Sequence, residues 1–334
     1  MLEHGGRLKA AARAHSIPLS QWIDLSTGIN PDGWPVPVID STIWNRLPEE
    51  DDGLLEAAAG YYGTEQLLPV AGSQAAIQLL PQMRKPCRVA IVSPGYAEHE
   101  QAWRRAGHQV LAITANAVEE NIDQLDIVVV INPNNPTGEL LPTERLVDWH
   151  QKLSQKGGWL IVDEAFMDAS ETESLIHGVM PPGLIIFRSL GKFFGLAGVR
   201  VGFVAAEQSL LQKMAEQLGP WTIANPSREV ARLALKDEKW QLKIRRELVI
   251  KSGRLKKLLT QAGLEPSGGT ELFQYIITEQ ASAIYTQLAK NGVLVRLFQK
   301  PIALRFGLPK GDKEWEILEN SLSAVSLTLF ASTL

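Results

Sequence analysis

The residues best suited to covalent chemistry stand in one segment, Arg188-Ser189-Leu190-Gly191-Lys192-Phe193-Phe194-Gly195-Leu196-Ala197-Gly198-Val199-Arg200. A single lysine among small and apolar side chains is poorly solvated, which lowers its pKa and leaves a nucleophilic amine able to form an imine. Ser189 and Arg200 flank Lys192 as donors suited to a phosphate. A nucleotide-binding P-loop is excluded, because it needs Ser or Thr after Gly-Lys and a glycine earlier in the loop. Here Phe193 follows, and Arg188 to Leu190 precede. The spacing of Gly191, Gly195 and Gly198 is not a dinucleotide fingerprint either.

Other stretches carry polar groups next to apolar runs. Asn132-Pro133-Asn134-Asn135-Pro136-Thr137-Gly138 must turn sharply and present side-chain amides, although alone it could be an ordinary Asn/Pro turn. Asp163-Glu164 sets two carboxylates where an apolar run ends, a place where an aspartate often serves only as a turn or cap. Gly72-Ser73-Gln74 opens a helical stretch, Ala75 to Leu80, whose free N–H groups and Ser73 hydroxyl could hold an anion or form a plain N-cap. Tyr96 could stack on a flat cofactor or simply pack. Arg296 and Arg305 project from apolar strands late in the chain, and a guanidinium suits bidentate carboxylate binding. Cys87 is the single cysteine, so an internal disulfide and a multi-cysteine zinc site are both excluded. His15, His99, His108, His150 and His177 lack metal-ligand spacing and read as structural or exposed; no metal site is expected.

These groups need a scaffold, and the runs before them supply it. Val89–Val92, Val110–Ile113, Ile127–Ile131, Trp159–Val162, Leu184–Phe187 and Val199–Val204 are short and mostly β-branched without polar alternation, as expected of strands covered on both faces. Helix-like stretches lie between several of them: Glu98–Ala106, Thr143–Gln155 and Glu207–Gln217. The alternation predicts an α/β fold with a mainly parallel sheet and helices on both sides, and ligands collect at the carboxyl ends of such strands. After Pro226 come long charged amphipathic helices over Ser227–Leu259, then Leu272–Ile277, a helix near Ala281–Lys290, and strands at Val293–Leu297 and Ile302–Phe306, the pattern of a smaller α+β domain. The first forty residues, with prolines at 18, 31, 35 and 37, read as an arm. The expected division is an arm at 1–40, packing on the small domain, a large domain at 41–225 and a small domain at 226–334.

In this order and at about these separations, Asn-Pro-Asn-Asn-Pro-Thr-Gly, Asp-Glu-Ala and Ser-x-x-Lys with an arginine eight residues beyond the lysine resemble the class I/II aminotransferase superfamily. These are fold-type-I enzymes that use pyridoxal 5'-phosphate (PLP). The resemblance implies that Lys192 forms the Schiff base, Asp163 pairs with the pyridinium nitrogen, and Asn135 bonds the phenolic oxygen. Ser73, Gln74, Ser189 and Arg200 would hold the cofactor phosphate, and Tyr96 would stack on the ring. One departure stands out: the family often has Tyr three residues after the Asp, and here that position is Phe166. The lost donor leaves Asn135 as the main partner of that oxygen.

The amino-terminal His4-Gly5-Gly6-Arg7, the stretch Trp22 to Pro31, and Gly269-Thr270-Glu271-Leu272-Phe273 narrow the likeness to the threonine-phosphate decarboxylases of cobalamin biosynthesis. Histidinol-phosphate aminotransferases are the nearest alternative. The implied reaction is PLP-dependent decarboxylation of L-threonine O-3-phosphate to (R)-1-amino-2-propanol O-2-phosphate. His4, Gly5, Asn30, Arg296 and Arg305 would bind the substrate's two anionic groups. The likeness also implies a homodimer.

Composition agrees with a cytoplasmic enzyme. The chain has 334 residues, 45% hydrophobic and 21% charged, enough for a large core. A formal net charge of -4 offers no general attraction to nucleic acid or anionic membrane. No apolar run is long enough to span a bilayer.

Overall fold

The computed structural model describes residues 4–170 and 174–330, with the side chains of 327–330 outside the description. Two compact units are present. One comprises 33–135 and 139–243; the other comprises the residues up to Asp32, Pro136–Gly138 and the chain from Ile244.

The larger unit is built on a seven-stranded sheet in the order Leu67–Val70, Gly202–Ala205, Leu184–Ser189, Trp159–Asp163, Ile127–Ile131, Arg88–Val92, Gln109–Ile113. The last five strands pair in parallel, and Gly202–Ala205 runs antiparallel to both of its neighbours. This is the expected α/β architecture. Ile127–Ile131 is buried at every position, which explains why the run shows no polar alternation. Helices cover the sheet, and Trp103, Phe187, Ile161 and Val204 belong to one continuous core. Leu67–Val70 contains Pro69 and lies at the sheet edge, where a missing N–H is tolerated.

Three elements depart from the sequence expectation. The run Val199–Val204 is not one strand: Ala197–Val199 is a 3-10 turn, Arg200 takes a left-handed conformation at φ 58°, and the strand starts at Gly202. Ser227–Leu259 is two helices, Asn225–Lys236 and Glu238–Gln261. They break at Asp237, whose carboxylate accepts the Trp240 N–H at 3.0 Å, while the Gln241 amide bonds the carbonyls of Ala234 and Leu235. Val293–Leu297 is also divided, because Val293–Leu294 pairs in parallel with Ile23–Asp24 and Arg296–Gln299 pairs with Ile302–Gly307.

The smaller unit has a four-stranded antiparallel sheet in the order Arg296–Gln299, Ile302–Gly307, Phe273–Ile277, Gly268–Thr270. The helices Ala281–Lys290 and Gly311–Phe330 belong to the same unit. The amino-terminal helix Leu8–His15 buries no residue fully; Leu8, Ala11 and Ala12 pack on a small cluster of Trp22, Ala289 and Leu294. Among the described residues no helix is long and apolar enough to cross a membrane.

Candidate active site

Asp163 ends the strand Trp159–Asp163 and is 3% exposed. Its Oδ1 accepts the Ala165 N–H at 3.1 Å, and its Oδ2 lies 2.9 Å from Nε2 of His99, which is equally buried. With Asp163 ionised, His99 donates from Nε2. The imidazole is stacked on Phe187, with centroids 6.1 Å apart and planes within 6°. A buried polar group needs hydrogen-bond partners, and the Ala165 N–H and His99 meet that need for Asp163.

Lys192 stands in a turn that closes on itself. The Gly195 N–H donates to the Lys192 carbonyl at 3.1 Å, and Gly195 has φ 67°, a conformation that favours glycine. Phe193 and Phe194 anchor the turn from below, both fully buried and both against Trp240. The Lys192 amine lies over the ring of Phe166, 5.3 Å from its centroid. Phe166 is itself held from both sides. Glu164 and Asp168, two residues before and after it, bond the Arg188 guanidinium at 2.7 and 2.6 Å, and all three side chains are fully buried. Ser174 adds a hydroxyl bond to Glu164 at 2.6 Å and Tyr61 one to Asp168 at 3.1 Å. Burial alone would lower the Arg188 pKa, but Asp168 and Glu164 outweigh it and hold the guanidinium well above its ordinary value.

The polar groups expected at a phosphate gather at one end of this arrangement. A methyl group added to Gly202 would lie 2.8 Å from the Ser73 nitrogen, and Gly202 pairs with Ser189 across the sheet. A methyl group on Gly72 would lie 2.6 Å from the Arg200 guanidinium. Ser73, Ser189 and Arg200 are thus drawn together by glycines that let main chain and side chain approach closely. The Ser189 hydroxyl also accepts the Gly191 N–H at 3.2 Å. Gln74 is placed beside them, but its side chain is engaged: it donates to Glu98 at 3.1 Å and accepts from the Tyr96 hydroxyl at 3.3 Å. Burial, reinforced by Glu98 and Asp163, pushes the Tyr96 phenol up to about 12, so at neutral pH it is the donor in that bond.

The three amides of the Asn-Pro loop divide their roles. Asn132 closes the loop through a pair of bonds with the Leu141 main chain at 2.8 and 3.1 Å, and Asn134 donates to the Pro94 carbonyl at 2.8 Å. Asn135 is half-buried at the point where the chain leaves the larger unit. Of the two carboxylates at Asp163-Glu164, only Asp163 faces His99; Glu164 is consumed by Arg188.

In the smaller unit Arg305 is 5% exposed, lies over the Phe273 ring at 5.0 Å, and donates to the Ser26 carbonyl at 2.8 Å. Arg296 is its cross-strand neighbour. Burial, with the charge of Arg296, lowers the Arg305 pKa to about 10, which leaves a cation at neutral pH whose burial an anion would relieve. Ser26 is a hub: its hydroxyl accepts the Gly6 N–H at 2.8 Å and donates to Asp24 at 2.6 Å. A methyl group on Gly5 would meet the Ser26 carbonyl at 2.4 Å. His4, Gly5, Arg7, Ser26, Arg296 and Gln299 share the wall of one cavity of about 360 Å³. Asn30 is buried, and its Oδ1 accepts the Asp32 N–H at 3.0 Å within its own turn.

Sequence reasoning missed the placement of His99, the Arg188 cluster and Ser26. Arg188 offered a signal, being a charge inside an apolar strand. The His99 signal was its position three residues after Tyr96 at the start of a helix, which sends both toward one side.

The chain resembles the threonine-phosphate decarboxylase of Pseudomonas aeruginosa, at 52% identity over 96% of this chain and 97% of that protein. It is 37% identical to the threonine-phosphate decarboxylase of a Sinorhizobium species, over 91% and 92% of the two chains. In fold it matches the histidinol-phosphate aminotransferase of Sinorhizobium meliloti, crystallised in complex with pyridoxal-5'-phosphate. The TM-score is 0.84 at 20% identity, over 98% of this chain and 96% of that one. The family model described as aminotransferase class I and II matches residues 21–315, a span that contains Asp163, the Lys192 segment and both late arginines, and the chain belongs to that family.

Proposed function

We propose that this chain is a cytoplasmic PLP enzyme of cobalamin biosynthesis that decarboxylates L-threonine O-3-phosphate to (R)-1-amino-2-propanol O-2-phosphate. What carries the reading is its likeness, over nearly the full length of both chains, to two threonine-phosphate decarboxylases.

The residues present fit the cofactor. Gly72 and Gly202 leave space for Arg200 and Ser189 to approach Ser73, a donor set suited to a phosphate, and the buried Asp163 backed by His99 suits a ring nitrogen that must stay protonated. Ser73, Gln74, Ser189 and Arg200 would hold the phosphate, with Gln74 contributing its main chain because its side chain is engaged. Tyr96 would lie on the ring, Asn135 would bond the phenolic oxygen, and Lys192 is the amine of attachment. When bound, PLP supplies an acceptor for the electron pair left by a bond broken at Cα.

The chain's own groups do the rest. Asp163, kept in place by His99, would pair with the ring nitrogen and keep that nitrogen protonated. Arg305 and Arg296 take the substrate carboxylate, whose bidentate grip on a guanidinium fixes the torsion about Cα. His4 and the Gly5 amide take the substrate phosphate, and Asn30 orients what lies between. Once CO2 has left, Lys192 delivers a proton to Cα.

A homodimer completes the reading. Val36, Val38, Trp44, Leu47 and Trp221 are apolar and exposed in the larger unit, and a second copy covering them would remove apolar surface from water. Sedimentation of the pure protein tests it, and a monomer at micromolar concentration ends it.

The reaction is tested by incubating the PLP-loaded protein with L-threonine O-3-phosphate, and separately with histidinol phosphate and 2-oxoglutarate. CO2 from the first is expected. Keto acid from the second without CO2 from the first would establish the aminotransferase instead.

A further inference from the structure

The same cofactor-bound substrate can lose either its carboxylate or its Cα proton, and the protonation of one lysine separates the two outcomes. Loss of the proton needs Lys192 as a neutral amine, to take the Cα hydrogen. Decarboxylation needs an ammonium: the Cα–carboxylate bond breaks, CO2 departs, and the pair remaining on Cα receives a proton from the Lys192 N–H, leaving a neutral amine.

We propose that Phe166 biases the reaction toward decarboxylation by stabilising the ammonium form of Lys192 against its ring face, in opposition to the desolvation that favours the neutral amine. The inference rests on the decarboxylase reading and extends it to a residue that determines the outcome. The amine sits over the ring at 5.3 Å from the centroid, inside the distance at which a ring quadrupole attracts a cation. Phe166 is 2% exposed and Lys192 is half-buried, so the contact is partly shielded from water. The ring is fixed rather than mobile, because Glu164 and Asp168 on either side of it are bonded to Arg188.

Several ionisable groups on the surrounding elements pair with one another. Asp163 is paired with His99, Glu164 and Asp168 with Arg188, and the Tyr96 hydroxyl with Gln74, while Arg200 donates to the Ala197 carbonyl. Replacing Phe166 changes none of these partners directly. It does change the face presented to the amine.

The test begins with apoprotein, so that it does not depend on the loaded enzyme. The rate at which trinitrobenzenesulfonate modifies Lys192, followed by mass spectrometry of its peptide, is measured against pH for the wild type, Phe166→Leu and Phe166→Tyr. Phe166→Leu should lower the midpoint by about one pH unit, and Phe166→Tyr, which keeps a ring face, should leave it in place. In the loaded enzyme, Phe166→Leu should raise about tenfold the share of turnovers that yield a carbonyl product retaining its carboxylate. Phe166→Met, unbranched and of similar volume, replaces Phe166→Leu if circular dichroism shows that variant unfolded. An unchanged or higher midpoint in a folded ring-less variant overturns the proposal. If the wild type releases no CO2 from L-threonine O-3-phosphate, the decarboxylase reading fails while the apoprotein titration still reports on the ring.

Discussion

In the unit that carries Lys192, the candidate site groups are backed by side chains that are themselves buried and paired; in the unit that carries Arg305, they are backed by main chain. Asp163 leans on His99, and Phe166 is set by the Arg188 cluster. Arg305 bonds the Ser26 carbonyl, and the arm reaches Ser26 through the Gly6 amide and the close approach of Gly5. Side-chain backing in a low dielectric is strong, and it fails badly when one partner is lost. Main-chain backing costs little to build but depends on glycine where chains touch.

The sharpest way to break this contrast is Arg188→Met. It leaves Glu164 and Asp168 buried without their cation, and the fold should lose about 3–5 kcal/mol, read from the urea midpoint. A loss under about 1 kcal/mol would show that the cluster does not hold the turn around Phe166.

Arg305→Ala should come next, and on function rather than folding. Removing a buried charge that meets an anion should cost about 2–5 kcal/mol in kcat/KM, while PLP affinity, measured by absorbance titration, stays near the wild-type value. Equal losses in both would erase the division between the two units.

His99→Phe keeps a ring on Phe187 and removes the donor to Asp163. The loss of a hydrogen bond to a charged group should lower kcat by about 1.5–3 kcal/mol, with partial recovery in His99→Gln if the amide reaches the carboxylate. Identical rates in the two variants would deny His99 a part in holding Asp163.

Gly5→Ala should show the smallest effect on the fold. The new methyl group meets the Ser26 carbonyl at 2.4 Å, so the arm must shift, but little core depends on it. We expect a change in stability of no more than about 0.5 kcal/mol, by calorimetry, together with a several-fold rise in KM for the phosphorylated substrate.

Much of the larger unit was legible in the sequence because its strands are covered on both faces, so their runs stand out without alternation. The Val199–Val204 run misled for a physical reason. Apolarity records burial, and burial does not require a strand: Arg200 turns left-handed between Val199 and Val201 while the apolar side chains still pack. The helix break at Asp237 had a signal, an aspartate able to cap, but no proline or glycine to emphasise it. In the smaller unit Val293–Leu297 joined two short strands that pair with different partners, and pairing is not encoded in a run of five residues.

The sequence by itself singled out Lys192 as the candidate for imine chemistry, Ser189 and Arg200 beside it as candidate phosphate donors, and Phe166 at a position where the family often has tyrosine. These lie within short segments whose spacing is preserved however the chain folds. Only the tertiary structure decided that His99 supports Asp163 from 64 positions away, and that Ser26 holds Arg305 across 279. A hydrogen bond requires atoms within about 3 Å, and across such separations only packing brings them there.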